Sequence, residues 1–326
     1  MNNVITYSPS TTIALTHACA NQCLYCGFRE DGASLLQFDE IQTIATHARN
    51  ERTPEILLMS GENADRVPSV KSALQSLGMA SMVQWTEKVC DHLLGLNLLP
   101  HINIGILDYT GLKELKEVSA SMGLMMEGNY GNLGSAIHPQ KNFSMRLQNL
   151  EWAGQLQIPF TTGILMGLGE SQKERIRSIQ TIISCGKTYG HVQEIILQNY
   201  VPNRGSCVLA REISTGELKE IIDLAKEELP EVSLQIPPNL NSNWPDLLAL
   251  GFNDLGGISE TDLVNSENPW PPIEKITKIL KERKYHLRKR LPIYPKYYQR
   301  GWYSKRVGLV IEKWIQSNDE YQYYTQ

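Results

Sequence analysis

The sequence predicts an α/β fold, a closed (β/α)8 barrel of the TIM type, and three observations carry that reading. Short apolar runs alternate with longer stretches of helical periodicity, the mark of parallel strands joined by helices. The runs lie at 12–16, 55–59, 101–106, 119–125, 159–166, 193–199 and 232–236, with a weaker one near 253–256. Their count is the one at which such a barrel closes. The 326 residues suit one large barrel, and no fixed-period repeat, low-complexity tract or linker interrupts them. One barrel domain is expected over 1–295, followed by a C-terminal appendage over 296–326 that is rich in Tyr and Lys.

The elements follow in chain order. TIALT at 12–16 is apolar and β-branched, as a buried strand should be. Val83, Val89, Cys90 and Leu93 share one face of a helix, which makes Cys90 a core residue. Leu147, Leu150, Ala153 and Leu156 face inward from a helix over 146–157. Ser171 and Glu174 form a capping box ahead of Ile176, Ile179 and Ile183, in a helix over 171–186. A second box, Ser214 with Glu217, opens a helix over 214–229 whose apolar stripe is Leu218, Ile221, Ile222, Ala225 and Leu229. The basic run Lys281–Arg290 reads as a solvated face.

Composition narrows the function. Apolar content of 41% and charged content of 20% belong to a globular protein, and a core of this size needs no disulfide staples. A net charge of -4 gives no general attraction to nucleic acid or to an anionic membrane. No run of about 18 apolar residues occurs, and Met1–Tyr7 has neither a basic region nor an apolar core, so no secretion leader is expected. Six cysteines without a leader point to the reducing cytoplasm.

Cys19, Cys23 and Cys26 form a CxxxCxxC set on the loop after the first strand. A closed zinc site wants four ligands, and His17 stands too near Cys19 for a usual zinc box. A redox pair of Cys23 and Cys26 would leave Cys19 idle. A [4Fe-4S] cluster held by three thiolates instead keeps one iron open, and S-adenosylmethionine (SAM) can chelate it through its amino and carboxylate groups. The pattern is that of radical SAM enzymes. Cys90, Cys185 and Cys207 lie far from the triplet in sequence and are assigned no part in the cluster.

Barrel enzymes carry their chemistry at the C-terminal ends of the strands. After the second strand comes Ser60-Gly61-Glu62, where the glycine allows close approach and the acid can accept from an ammonium. After the fourth comes Glu127, able to bind ribose hydroxyls, and Arg146 follows at the next helix, able to pair with a carboxylate. The fifth ends in Gly163-Ile164-Leu165-Met166-Gly167-Leu168-Gly169-Glu170, whose glycines Gly163 and Gly167 suit a flat adenine surface. His101, Asn103, Thr161, Thr162, Gln198, Asn199, Asn239, Asn253 and Asp254 make the remaining strand ends polar. Such groups are costly inside a barrel without partners, so a polar, many-hydroxyl, largely uncharged substrate is expected.

Across about 4–300 the chain resembles the CofG-type subunit of 7,8-didemethyl-8-hydroxy-5-deazariboflavin (FO) synthase, a radical SAM family. The matching blocks, in order, are ITYSPSTTIALTHACANQCLYCGFR, LLPHINIGIL, SASMGLMMEG, RLQNLEWAGQLQIPFTTGILMGLGE, YGHVQEIILQNYVPNRG, IPPNL, FNDLGGIS, NPWPP and RLPIYPKY. The resemblance implies cluster ligation by Cys19, Cys23 and Cys26, adenine contact near Tyr25, and SAM contacts by Glu62, Glu127 and Arg146. Ser60 stands where the family commonly has a first glycine. The segment His138-Pro139-Gln140-Lys141 matches a family loop of unassigned role.

The resemblance also implies a lyase reaction of coenzyme F-420 biosynthesis, in which a deoxyadenosyl radical converts 5-amino-5-(4-hydroxybenzyl)-6-(D-ribitylimino)-5,6-dihydrouracil to FO with loss of ammonia. Its implied partners are a companion CofH-type radical SAM subunit and an electron donor such as flavodoxin or ferredoxin. Two other readings share parts of the pattern. One is another radical SAM enzyme, of the tyrosine-using companion or menaquinone-pathway type. The other is a non-catalytic metal-binding barrel.

Overall fold

The computed structural model describes residues 3–129, 131–203 and 206–326, without the side chains of Asn132 and Ser135. Arg204 and Gly205, which end one of the matching blocks, lie outside them. Among the described residues nine strands form one parallel sheet: β1 (Val4–Thr16), β2 (Glu55–Ser60), β3 (Leu99–Asn103), β4 (Ser121–Gly123), β5 (Phe160–Met166), β6 (Val192–Asn199), β7 (Ser233–Gln235), β8 (Asp254–Ile258) and β9 (His286–Lys289). Strands β2 to β8 follow in sequence order, and β1 pairs with both β8 and β2, which closes the barrel at eight. The closed (β/α)8 barrel expected from the alternation of runs is the observed fold.

β1 is longer than the apolar run 12–16 because it serves two levels of the barrel. Its upper half pairs with β2, from Ser10 opposite Glu55 to Ala14 opposite Met59. Its lower half lies between β8, with Thr6 opposite Asp254, and β9, with Val4–Tyr7 opposite His286–Lys289. The lower residues alternate polar with apolar and include Pro9, so their strand character comes from those two neighbours rather than from local apolarity. β9 falls inside the basic run, where charge masks its alternation. The residue ending that run, Arg290, is buried instead of solvated.

The helices match their sequence signals closely. The helix Gln172–Tyr189 starts on the Ser171 and Glu174 capping box and stops at Gly190 with φ 68°, the left-handed turn that glycine adopts freely. Thr215–Glu228 starts on Ser214 and Glu217. Phe143–Gln155 begins before the predicted 146 because the Asn142 side chain accepts from the Met145 N–H at 3.1 Å. Cys90 is fully buried in the helix Met82–Gly95. Among the described residues, no helix is long and apolar enough to cross a membrane.

The barrel floor is closed by the chain just after β9. Arg290 donates from Nε to Asp254 Oδ2 at 2.7 Å and from Nη2 to Asp254 Oδ1 at 2.9 Å and Glu194 Oε1 at 3.0 Å. Glu194 also accepts from Tyr294 at 3.1 Å and Thr161 at 3.0 Å. Burial pushes Glu194 up to about 8 against the pull of Arg290. Burial works the same way on Asp254, but there Arg290 prevails and holds the carboxyl below its ordinary value. One guanidinium thus faces two buried acids and holds the Asp254 charge, with hydroxyl donors meeting Glu194. Ser121 Oγ and Gln193 Nε2 donate to Pro292 O at 2.7 and 3.0 Å, fastening the same segment to β4 and β6.

Residues beyond 295 form the helices Pro295–Gln299 and Lys305–Ser317 and the turn Asp319–Thr325. Tyr321 and Tyr324 are buried in the same apolar core as the barrel. Tyr324 Oη accepts from Leu291 N at 2.9 Å and donates to Ile293 O at 2.7 Å. Trp314 Nε1 donates to Asn97 O at 2.8 Å, just before β3.

Removing Arg290 leaves the Asp254 charge buried without a counter-ion. Arg290→Ala should lower the unfolding free energy by roughly 3–5 kcal/mol in urea denaturation, and adding Asp254→Asn should restore part of the loss. Equal stability of wild type and Arg290→Ala would contradict this account of the floor.

Candidate functional site

A cavity of about 290 Å³ opens at the C-terminal ends of β1 to β6. Its wall brings together the predicted Cys19, Cys23, Tyr25, Cys26, Gly61, Glu62, Glu127 and Arg146. The cysteine loop leaves the end of β1 and is pinned from two sides. Ala20 N donates to Glu62 O at 3.0 Å, and the Cys19 thiol points to the same carbonyl at 3.7 Å. On the other side Leu24 N donates to Ile137 O at 2.9 Å and Gln22 N to Gln140 Oε1 at 3.1 Å. The segment around His138–Lys141 therefore braces the loop, a role that only the fold reveals.

Gly61 also has a use within the fold. A Cβ there would lie 2.1 Å from Ala18 O and 2.4 Å from Cys19 Cβ. Its missing side chain makes room for the cysteine loop. Gly163 and Gly167 are not brought to the cavity wall. A Cβ on Gly163 would lie 2.2 Å from Ile196 O, so this glycine lets β5 and β6 approach. Gly167 has φ 94° and faces Arg211 O. The turn that holds it is fixed by Glu170, which accepts from Gly167 N at 2.7 Å and Leu168 N at 2.8 Å while buried Arg175 donates to it at 2.6 Å.

Four charged side chains converge in the wall and compensate one another. Arg146 pairs with Glu62 and also donates to Met125 O at 2.6 Å. Asn21 Nδ2 donates to the other Glu62 oxygen at 2.8 Å. Lys141 pairs with Glu127, and its ammonium lies 5.4 Å from the Tyr25 ring centre. Burial disfavours the Glu127 charge, yet Lys141 and Arg146 hold its carboxyl below the ordinary range. Glu127 also sits at φ 63°, a left-handed conformation costly for a residue with a Cβ. Its backbone is held there because Leu165 N donates to Glu127 O at 3.0 Å. Two acids and two bases in one wall can exchange partners with an ammonium and a carboxylate of a single ligand.

Sequence reasoning gave no site role to Asn21, Lys141 or Tyr200. The first sits between two cysteines and the second ends the unassigned HPQK segment, which were the available hints. Tyr200 packs edge-on against Tyr25 with ring centres 6.3 Å apart, and His138 does so at 6.0 Å. His17, a possible fourth zinc ligand, turns away and uses Nδ1 to bond Phe28 O at 2.8 Å. Cys207 is brought nearer the triplet than its sequence distance implies. Its N–H donates to Leu24 O at 3.2 Å, and the residue is exposed.

The model of the radical SAM superfamily matches residues 13–182. The 7,8-didemethyl-8-hydroxy-5-deazariboflavin synthase of Archaeoglobus fulgidus is 39% identical over 316 residues, covering 95% of this chain and 97% of its own. The chain belongs to the radical SAM superfamily, in the FO synthase family. A second relative of that name, from Methanothermobacter thermautotrophicus, is 40% identical over 319 residues, covering 95% of this chain and 97% of its own. Solved structures of low identity share the barrel. The FeFe-hydrogenase maturase HydG from Carboxydothermus hydrogenoformans superposes with TM-score 0.69 at 18% identity, over 99% of this chain and 82% of that one. Methylornithine synthase gives 0.65 at 16%, over 87% and 84%.

Members of this superfamily use a [4Fe-4S] cluster and SAM, and the residues present fit both. The thiols of Cys19, Cys23 and Cys26 line one cavity. Cys19 Sγ and Cys26 Sγ each accept a backbone N–H at 3.4 Å, from Asn21 and Phe28, contacts that favour a thiolate. Among the described residues no three His, Cys, Asp or Glu groups converge as for a single metal ion. Burial raises the Cys19 thiol and pushes Cys23 up to about 12, so metal binding must displace those protons. For SAM, the buried Nε of Arg146 has no partner among the described residues, a donor left over beside the acid–base set.

Alanine at Cys19, Cys23 or Cys26 should abolish the brown colour and bound iron after anaerobic reconstitution, while Cys207→Ala keeps both. Gly61→Ala should lower iron loading several-fold by displacing the cysteine loop. Full iron content in any of the three cysteine variants would remove that residue from the ligand set.

Proposed function

We propose that this radical SAM enzyme forms FO from 5-amino-5-(4-hydroxybenzyl)-6-(D-ribitylimino)-5,6-dihydrouracil with loss of ammonia, as a carbon–nitrogen lyase of coenzyme F-420 biosynthesis. The observation that carries the reading is the likeness to FO synthases along nearly the whole chain, at 39–40% identity. The geometry supports it in a second way. Below the cysteine-lined cavity lies a more polar one of about 190 Å³, walled by His101, Gln198, Gln235, Asn239 and Arg290 among others. Both include Met59, Asn103, Met125 and Gln198 in their walls, so they are continuous.

Cys19, Cys23 and Cys26 would hold the cluster, and Glu62, Glu127, Lys141 and Arg146 would hold the amino-acid and ribose parts of SAM. When bound, the pair would supply radical chemistry for removing hydrogen from the benzylic carbon of the substrate. The chain's own task is to bind the substrate, orient that carbon toward the mouth, and exclude water. The apolar wall of Leu124, Met125, Leu165 and Ile196 does the last of these at the junction of the cavities. The amides below suit a ribityl chain and a uracil edge. A companion CofH-type subunit would supply the dihydrouracil, and a flavodoxin or ferredoxin the electron.

Reconstituted protein given dithionite, SAM and the dihydrouracil should yield fluorescent FO and 5'-deoxyadenosine, and deuterium from the benzylic carbon should appear in the deoxyadenosine. Deoxyadenosine without FO would move the substrate to a related radical SAM enzyme. Deuterium retained in the product would reject the benzylic site of abstraction.

A further inference from the structure

His101 is the residue on the barrel floor whose hydrogen-bonding state is set by its surroundings. It lies opposite Ser121 in the β3–β4 pairing. Its Nδ1 is 2.7 Å from Ser121 Oγ, and Ser121 Oγ donates its one proton to Pro292 O at 2.7 Å. A carbonyl oxygen only accepts, so the serine proton is committed to Pro292 and the serine oxygen must accept from His101. Nδ1 therefore carries the proton and Nε2 carries a lone pair. Burial and the nearby Arg290 guanidinium push the imidazole down to about 3, so the ring stays neutral at working pH.

The free nitrogen is available to a ligand. Nε2 has no hydrogen-bond partner among the described residues, and His101 lines the lower cavity beside Gly123. A Cβ on Gly123 would lie 3.0 Å from Nε2, so glycine there keeps that nitrogen clear. The other ionisable groups in the same wall are already engaged. Glu55 accepts from Ser10 at 3.1 Å, Glu194 and Asp254 hold Arg290, and Asp262 accepts from Asn239 at 2.8 Å.

We infer that His101 Nε2 is a specificity-determining acceptor that binds a ring N–H of the substrate's uracil portion at the barrel floor. This rests on the functional reading above and names the subsite within it. A cyclic imide presents an N–H between two carbonyls, which asks for one acceptor flanked by donors. His101 supplies the locked acceptor, while Asn103, Gln198 and Gln235 supply amide N–H groups in the same wall. Sugar hydroxyls adapt to donors or acceptors and need no such lock. A carboxylate would meet the lone pair of Nε2 and be disfavoured. With the uracil on the floor, the benzyl-bearing carbon points up the cavity toward the thiols.

The test uses full-length protein and a probe without the phenol, 5-amino-6-(D-ribitylamino)uracil, with its N3-methyl analogue, by calorimetry. Wild type should bind the probe roughly 10- to 100-fold more tightly than the methylated analogue, and His101→Leu should lose about that factor and stop discriminating. Nitrogen-15 spectra of labelled histidine should show Nε2 unprotonated and shifted on adding the probe. Equal binding of the two compounds by wild type would overturn the assignment even if the variant does not fold. An unchanged probe affinity in folded His101→Leu, or FO formation by wild type that binds no probe, would do the same. Wild type that makes no FO from the dihydrouracil would overturn the functional reading and this subsite together.

Discussion

The structure depends on β1 being shared between two levels. Its upper half closes the barrel against β2 and delivers the cysteine loop to the mouth. Its lower half runs between β8 and β9 and so places Arg290 under the lumen. A parallel barrel has no free edge once the first and last strands pair. Here that closure also sets the distance between the chemistry at the top and the polar floor beneath it. The cavity between them is what remains after β1 has been positioned at both ends.

The mouth and the floor solve the problem of buried charge in different ways. At the floor the charges are permanently satisfied: Arg290 is saturated by Asp254, Glu194 and backbone, and burial pushes the Glu194 carboxyl above its ordinary value. At the mouth the pairs Glu62–Arg146 and Lys141–Glu127 are near their counter-ions but face a cavity, and Arg146 keeps one donor spare. A saturated set holds the fold, whereas a set that can exchange partners binds a zwitterion. The left-handed Glu127 backbone belongs to the second kind, since strain of this sort persists only where neighbours enforce it.

Much of the fold was legible because local signals and tertiary demands agreed. The capping boxes at Ser171 and Ser214, the eight runs and the core face of Cys90 all reappear at their positions. The lower half of β1 and all of β9 were not legible, because their residues alternate in polarity or carry charge and become strands only through each other. In the site, Cys19, Cys23, Cys26, Glu62, Glu127 and Arg146 could be picked out because strand ends of a barrel face one mouth. The close neighbours of Gly163 and Gly167 were not legible in the sequence, since a strand packing closely on its neighbour and a ligand surface ask for the same missing Cβ.

The sequence by itself determined the barrel, the capping boxes at Ser171 and Ser214 and the spacing of the thiols, since each rests on residues near one another in the chain. Spacing alone made CxxxCxxC an incomplete ligand group, and periodicity alone placed the apolar faces. Only the tertiary structure decided what each polar residue answers to. Lys141 meets Glu127, Asn21 meets Glu62, and Arg290 rises from the end of a basic run into the lumen. The protonation of His101 is likewise set by Ser121 and by the carbonyl of Pro292, far along the chain. Charges and lone pairs acquire their meaning from partners distant in sequence, and folding is what brings those partners into reach.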